Sequence, residues 1–334
     1  MYLKKLQNES FLIYKKIKNI FFIRAFLSIG SVFYFLAYKT RLLFYKYCLL
    51  KTEKVSATVI SIGNLTCGGT GKTPLTMEIA KHLIAKNVPK AIVLSGSDRI
   101  FATQSAIKLG AEILILDDGF QYLKLHRDKN ILILDNENPF DNGYLLPAGE
   151  LRELPDSIKR ATSIVLSNSK DSKSRIALLN KLKKYTCDKP IIEMNYKIKN
   201  LKGINIVKTI APQELKDKKV IIFSGIGNPK AFSNSIHECG LEVVEHLIFT
   251  DHHNYEINDL SKIIDLAIKN KIENIITTEK DAIKLEYSCE SAPVTFWHSV
   301  LEITWNTSDP FNKLLNNLVS NQAVPTPPDY GEVR

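Results

Sequence analysis

The sequence predicts an α/β protein with two αβα domains, each a mostly parallel sheet covered by helices, preceded by an N-terminal helical segment of a different character. Three observations carry this reading. The chain has 334 residues, 45% hydrophobic and 24% charged, enough for about two domains, and this composition excludes a disordered, collagen-like or polytopic membrane class. From residue 57 onward, short β-branched runs alternate with amphipathic stretches, the pattern of parallel strands covered by helices. The charge is uneven: residues 1–54 hold 11 Lys and Arg against Glu9 and Glu53, whereas the rest of the chain holds 34 basic against 33 acidic groups. Of the net +10, +9 therefore sits at the N-terminus and +1 on the body, which carries no basic footprint for nucleic acid. Cys48, Cys67, Cys187, Cys239 and Cys289 are scattered and never in Cys-x-x-Cys spacing, which argues against a disulfide framework or zinc site and for a reducing compartment.

Residues 1–54 come first. An uncharged apolar run covers residues 25–38, after Arg24 and an apolar tetrad at 20–23. Fourteen helical residues rise about 21 Å, short of the roughly 30 Å hydrocarbon core. The reading favoured is a membrane-associated helix lying in or dipping into an anionic lipid surface, with a buried core helix and a secretory signal as alternatives. A signal peptide has little support, because Lys39, Thr40 and Arg41 follow Tyr38 where a small-x-small cleavage site is needed.

In the first α/β domain, 55–207, residues 58–62 read as a strand, 72–86 as a helix, 91–94 as a strand and 99–109 as a helix. Strands follow at 112–116, 131–134 and 163–166. The stretch 197–217 has strand character without a long helix and reads as the connection to the second domain, 208–319. There the order is strand 220–223, helix 229–239, strand 241–249, helix 258–269 and strand 274–277. Residues 320–334, with Pro325, Pro327, Pro328 and Gly331, read as a mobile tail.

The strongest chemical signal lies between the first strand and first helix: Ser61-Ile-Gly-Asn-Leu-Thr-Cys-Gly-Gly-Thr-Gly-Lys-Thr-Pro74. A phosphate chain needs backbone N–H groups turned inward with no Cβ in the way, a helix N-terminus and a cation. Gly68, Gly69 and Gly71 supply the first, Lys72 can reach β and γ phosphates, and the Thr73 hydroxyl can bind Mg²⁺. The strict Gly-x-x-x-x-Gly-Lys-Thr pattern is not met, since Thr66 stands where its first Gly would be. The alternative is a glycine-rich turn with a solvated lysine. Cys67 reads as a small filler.

Such a site needs carboxylate at the carboxyl end of a neighbouring apolar strand, and residues 113–118, Ile-Leu-Ile-Leu-Asp-Asp, provide Asp117 and Asp118 there. Adjacent carboxylates repel unless a cation neutralises them. The plainer reading makes one Asp a turn cap at Gly119. Arg152 and Glu153, taken alone, read equally well as a surface ion pair, and a His after Asp251 reads more readily as a turn residue.

Six motifs stand in order: the glycine-rich loop, Asp117-Asp-Gly-Phe-Gln121, Asn142-Gly-Tyr-Leu-Leu-Pro-Ala-Gly-Glu-Leu-Arg-Glu153, Gly225-Ile-Gly-Asn-Pro229, Phe249-Thr-Asp-His-His253 and Thr278-Glu-Lys-Asp281. Over residues 55–290 the chain resembles the tetraacyldisaccharide 4'-kinase family, membrane-associated P-loop kinases of lipid A biosynthesis. The resemblance implies a P-loop NTPase-like N-terminal domain, ATP and Mg²⁺, and phosphoryl transfer to the 4'-hydroxyl of an acylated glucosamine disaccharide 1-phosphate at the cytoplasmic face of the bacterial inner membrane. By position it implies ATP at Thr66, Cys67, Gly68, Gly69, Thr70, Gly71, Lys72 and Thr73, with metal at Thr73, Asp117 and Asp118. Lys72, Asp117, Asp118 and His252 become catalytic, and Gln121, Arg152, Glu153 and, by a looser alignment, Arg99 line the site.

The chain also departs from the family. Between residues 94 and 99 family members carry some tens of residues, including the Asp held to be the catalytic base, and this sequence has only Ser95-Gly-Ser-Asp98. Tyr122 replaces the usual His after Gln121. A βαβ connection needs only a dozen or so residues, so the fold survives the loss. The expectation is a kinase of this family with impaired activity; the alternative is a non-catalytic protein that binds nucleotide or a lipid A precursor.

Overall fold

The computed structural model describes residues 21–68, 70–85, 90–96, 98–168, 172–186, 189–251, 253–285, 292–306, 311, 313 and 314. They form two compact units, one built on Lys18–Asn195 and the other on Tyr196–Thr304, with the chain returning to the first at Trp305.

The first unit opens with helix α1 (Phe21–Lys46), which extends eight residues past the apolar run. Tyr34 and Phe35 pack against a core cluster that includes Leu65, Phe120, Leu145 and Leu151, while Phe26, Ile29, Phe33 and Leu36 are each more than half exposed. Among the described residues no helix is long and apolar enough to cross a membrane.

Strand β1 (Thr58–Asn64) leads through the glycine-rich loop into helix α2 (Lys72–Ala85). Strand β2 (Ala91–Leu94), helix α3 (Arg99–Lys108), strand β3 (Ile113–Asp117) and strand β4 (Lys129–Asp135) follow. Strand β5 (Ser163–Ser167), helix α4 (Ser172–Thr186) and the start of strand β6 (Ile191–Gly203) complete the unit. The sheet order is β2-β3-β1-β4-β5-β6, parallel at every pairing from β2 to β6. The order reverses at β1, whose neighbours β3 and β4 lie on opposite sides, so the glycine-rich loop leaves the sheet at the switch point where ligands of open α/β sheets bind. Every residue of β1 after Thr58 is buried, as a central strand covered on both faces requires.

In the second unit strand β7 (Thr209–Ile210) pairs antiparallel with β6. Strand β8 (Lys219–Ser224), helix α5 (Pro229–Glu238), strand β9 (Glu242–Ile248), helix α6 (Ile257–Lys269), strand β10 (Asn274–Thr278), the single-turn helix α7 (Glu279–Ala282) and strand β11 (Thr295–Trp305) follow. Their order is β6-β11-β10-β8-β9, with β11, β10, β8 and β9 parallel. One core lies around Val220, Phe232, Ile236 and Trp297, another around Phe223, Leu260, Ile263 and Phe296.

Most element ends fall within two residues of the sequence reading. Helix α4 was not anticipated, because its run of Ser, Lys and Arg carries a weak apolar stripe. Nor was β11, where His298, Ser299 and Glu302 interrupt the apolar residues. The tail assigned to 320–334 lies outside the described residues.

Candidate active site

The loop after β1 is shaped by positive φ at Gly68 (110°) and Gly71 (88°), a conformation that glycine adopts without strain. It is held to a second segment: Thr66 bridges Leu151, Cys67 N–H donates to Glu150 O at 2.7 Å, and Arg152 N–H donates to Leu65 O at 2.7 Å. This pairing brings Arg152 beside the loop although 80 residues separate them.

The carboxylates arrive by a tight turn. β3 pairs with β1 so that Asp117 lies opposite Ile62, and Asp118 then takes a left-handed φ of 53°. Gly119 has no space for a side chain: a Cβ there would lie 2.6 Å from Ser61 Oγ and 2.7 Å from Leu116 Cβ. Gly63 is equally confined, since a Cβ there would lie 2.5 Å from Phe120 Cβ. The carboxylate turn is thus pressed against β1, and any larger residue at either glycine would push it away.

Within this frame the polar groups converge. Thr73 Oγ1 donates to Asp117 Oδ2 at 2.9 Å and Thr76 Oγ1 to Asp117 Oδ1 at 3.2 Å, while Arg99 Nη2 donates to the Asp117 carbonyl at 2.8 Å. Arg152 grips Asp118 in a bidentate pair, Nη1 to Oδ2 and Nη2 to Oδ1, each 3.0 Å. Lys72 Nζ donates to Asn64 Oδ1 at 3.1 Å and Gly68 O at 3.2 Å, and lies 3.8 Å from Asp118. Two hydroxyls, two carboxylates and three cations thus converge beside a glycine-rich loop, and Thr73 with Asp117 offers the hard oxygen donors that small divalent cations take.

Electrostatics follow the packing. Burial lowers the Lys72 pKa below the usual lysine value, partly countered by the Asp118 charge. Burial alone would raise Asp118, but the hydrogen bonds and charge of Arg152, with Lys72 and Arg99, outweigh it and hold the carboxyl below the usual aspartate range. Asp118 is therefore ionised throughout the neutral range. Burial raises the Cys67 thiol, which leaves it unreactive and fits its reading as a filler.

Asn64 was not assigned a role from the sequence, yet it is the hub. Fully buried at the end of β1, it donates from Nδ2 to Thr70 Oγ1 at 2.9 Å, accepts from both Lys72 and Arg152 at Oδ1, and receives Gln121 Nε2 on its carbonyl at 2.9 Å. A polar residue closing a buried central strand was the signal available for it. Gln121 and Arg99 join the cluster. Glu153 does not: it is 3% exposed and pairs with Arg160 at 2.5 Å, whose guanidinium lies over the Phe120 ring. Arg152 and Glu153, adjacent in sequence, therefore serve different partners and do not form a surface pair.

Gly69 and His252 lie outside the described residues. Around the latter, Asp251 pairs with Lys280 at 2.8 Å, and His253 with Asp259 at 2.9 Å. In the same unit buried Asp281 accepts from Gly225 N–H at 3.0 Å and Thr278 Oγ1 at 2.7 Å. Asp98, the one acidic residue of the short connection between β2 and α3, caps α3 by accepting from Phe101 N–H at 3.2 Å.

Comparison with known proteins identifies the family. The profile of the LpxK family, described as tetraacyldisaccharide-1-P 4'-kinase, matches residues 23–95 and 82–320. A tetraacyldisaccharide 4'-kinase of Halothermothrix orenii is 35% identical over 314 positions, covering 77% of this chain and 82% of its own. One from Syntrophus aciditrophicus is 32% identical over 312, covering 78% and 83%. The crystal structure of LpxK from Aquifex aeolicus in complex with ATP superposes with a TM-score of 0.67 at 27% identity, covering 89% of this chain and 99% of that one. The Halothermothrix alignment takes in about 257 of the 334 residues (77%), so about 57 of its 314 positions face a gap in this chain. The two profile matches break and overlap at β2. With the profile matching most of its length, the chain belongs to the tetraacyldisaccharide-1-P 4'-kinase family.

Proposed function

We propose that this chain is an ATP- and Mg²⁺-dependent P-loop kinase that phosphorylates the 4'-hydroxyl of tetraacyldisaccharide 1-phosphate, with turnover reduced by the short connection between Leu94 and Arg99. The observation that carries the reading is the convergence of Lys72, Thr73, Asp117, Asp118 and Arg152 on a glycine-rich loop at the sheet's switch point. The unit built on Lys18–Asn195 holds this site, and Tyr196–Thr304 form the second α/β unit.

Phosphoryl transfer between oxygens depends on positioning and on charge placed where the transition state needs it. The loop N–H groups from Thr66 to Thr73 and the start of α2 receive the phosphates, and Lys72 places a cation at the β and γ groups. Thr73 and Asp117, with Asp118 beside them, would hold Mg²⁺, which when bound would supply charge neutralisation for the transferring group. Arg152 is kept in place by Asp118 and Asn64. The acceptor hydroxyl must release a proton as the P–O bond forms. The resemblance places the carboxylate for that step in the segment this chain lacks, and Asp98 is already used as a helix cap. His252 would then have only an ordinary imidazole role.

The N-terminal segment fits attachment to the cytoplasmic face of the bacterial inner membrane: residues 1–54 carry nearly all the net positive charge, and α1 exposes Phe26, Ile29, Phe33 and Leu36.

The test is 4'-kinase activity of the purified chain in detergent, beside a variant with a relative's segment grafted between Leu94 and Arg99. The expected result is slow, Lys72-dependent transfer that rises with the graft. In the ungrafted chain, His252→Ala should lower the rate by far less than the roughly 10²- to 10⁴-fold cost of losing a working general base. ATP binding without transfer in either form would establish the non-catalytic alternative.

A further inference from the structure

We infer that helix α1 is a positioning element of the phosphate site, with Tyr34 and Arg41 acting through the main-chain carbonyls of Arg152 and Gln121. The inference rests on the ATP-binding reading above and concerns a face of the helix that lipid attachment does not explain.

Residues 31, 34, 38 and 41 are spaced three, four and three apart, which places them on one stripe of a helix. All four are polar and all four are engaged. Ser31 Oγ donates to Leu145 O at 2.8 Å and accepts from Ala148 N–H at 3.0 Å. The Tyr34 hydroxyl donates to Arg152 O at 2.9 Å, Tyr38 and Ser157 share a bond of 2.8 Å, and Arg41 Nη2 donates to Gln121 O at 3.0 Å. Gly30 allows this close approach, since a Cβ there would come within 3.0 Å of Pro147 Cγ.

Two of these bonds end on residues whose side chains address Asn64. Arg152 is fixed from both directions, its N–H on Leu65 O and its carbonyl under Tyr34, which leaves its guanidinium little freedom beside Asp118 and Asn64. Gln121 is held likewise, its carbonyl by Arg41 and its amide on the Asn64 carbonyl. A helix that served only as an anchor would need apolar packing against the body. This one has such packing through Tyr34 and Phe35 and in addition ties down the two side chains flanking the loop's hub.

The experiment is a double-mutant cycle read by ATP affinity, using the full chain in detergent with Mg²⁺. Tyr34→Phe removes one oxygen and keeps the ring in the core. It should weaken ATP binding about three- to tenfold, the range of one net hydrogen bond, with the melting temperature lowered by no more than roughly 1–6 °C and sedimentation with anionic vesicles unchanged. In an Arg152→Ala background the same change should have almost no effect, because the residue it acts through is gone. Arg41→Ala should lower affinity about two- to fivefold, and Arg41→Lys should restore part of it. Equal losses from Tyr34→Phe with and without Arg152 would overturn the inference, as would unchanged affinity or a lowered melting temperature with unchanged affinity. Should Arg41→Ala fold poorly, Arg41→Gln makes the same measurement. Lys72→Ala separates the two levels of the argument: ATP binding that survives it, or is missing from the unaltered chain, removes the kinase reading and this inference together. Binding lost with Lys72→Ala but indifferent to Tyr34→Phe removes the positioning role alone.

Discussion

Replacing Asn64 separates stability from ligand binding in opposite directions. Asn64→Ala deletes the acceptor shared by Lys72 and Arg152 and the donor to Thr70, all inside a buried pocket. Bonds to charged donors contribute about 1.5–3 kcal/mol each. Lys72 keeps Gly68 O and Arg152 keeps Asp118, so the lower end applies and the total is about 3 kcal/mol. At ~2–4 °C per kcal/mol for a domain of this size, the melting temperature falls by roughly 6–12 °C. Asn64→Asp preserves the shape and gives both cations a full counter-charge, while the Thr70 hydroxyl can turn to donate. Stability is kept, but the phosphates must now compete with a carboxylate for Lys72. Unit charges ~4 Å apart interact by about 4 kcal/mol at the effective dielectric of a protein surface, so ATP affinity falls by about 2–4 kcal/mol, or thirty- to a thousandfold. Thermal melts and ATP titrations of both variants decide it. An Asn64→Asp protein that binds ATP normally, or an Asn64→Ala protein that melts with the parent, would refute the reasoning.

Three further outcomes are expected. Because burial lowers the Lys72 pKa, its charge is present below that value and is lost as pH rises through it, so ATP affinity should decline before pH reaches the 10.5 of an ordinary lysine; Lys72→Arg should abolish that alkaline decline in a pH series of ATP titrations. Replacing Phe26, Ile29, Phe33 and Leu36 together by Ser should cut partitioning to anionic vesicles at least a hundredfold, at ~1.5–3 kcal/mol per buried side chain, with the melting temperature unchanged; sedimentation at the parental level would place the attachment elsewhere. Arg160→Ala leaves buried Glu153 without its counter-charge and should cost about 3–5 kcal/mol, visible as a large drop in denaturant midpoint with no direct contact to the phosphate loop altered.

What the sequence made legible was what is local. The loop, its flanking strand and helix, and the Asp117-Asp118 pair at a strand end are each contiguous, and strand–loop–helix periodicity locates them. Asn64 was not legible, because its role comes from Thr70, Lys72, Gln121 and Arg152, whose convergence depends on the Thr66–Leu151 bridge. Arg152 and Glu153 were ambiguous for the same reason: their spacing allows a surface pair, and only packing sends one to Asp118 and the other to Arg160. For α1 the apolar run was plain but the docked stripe was not, since Ser31, Tyr34, Tyr38 and Arg41 carry no signal until their partners are known. Helix α4 shows the limit of periodicity where lysines dominate a surface helix.

The position of β2 at the edge of its sheet makes the connection that follows it tolerant of changes in length. An edge strand has one neighbour, here β3, so shortening its outgoing connection disturbs no interior pairing. Gly96 in that connection has open space around its Cβ position and a φ of 102°, and Ser95 and Asp98 are exposed. Loop closure becomes only ~0.6 kcal/mol harder with each doubling of length, so growing from a few residues to about forty costs roughly 2 kcal/mol. The connection is therefore a natural splice point: a module can leave or enter here at modest thermodynamic cost, and the sheet that carries the glycine-rich loop is left intact.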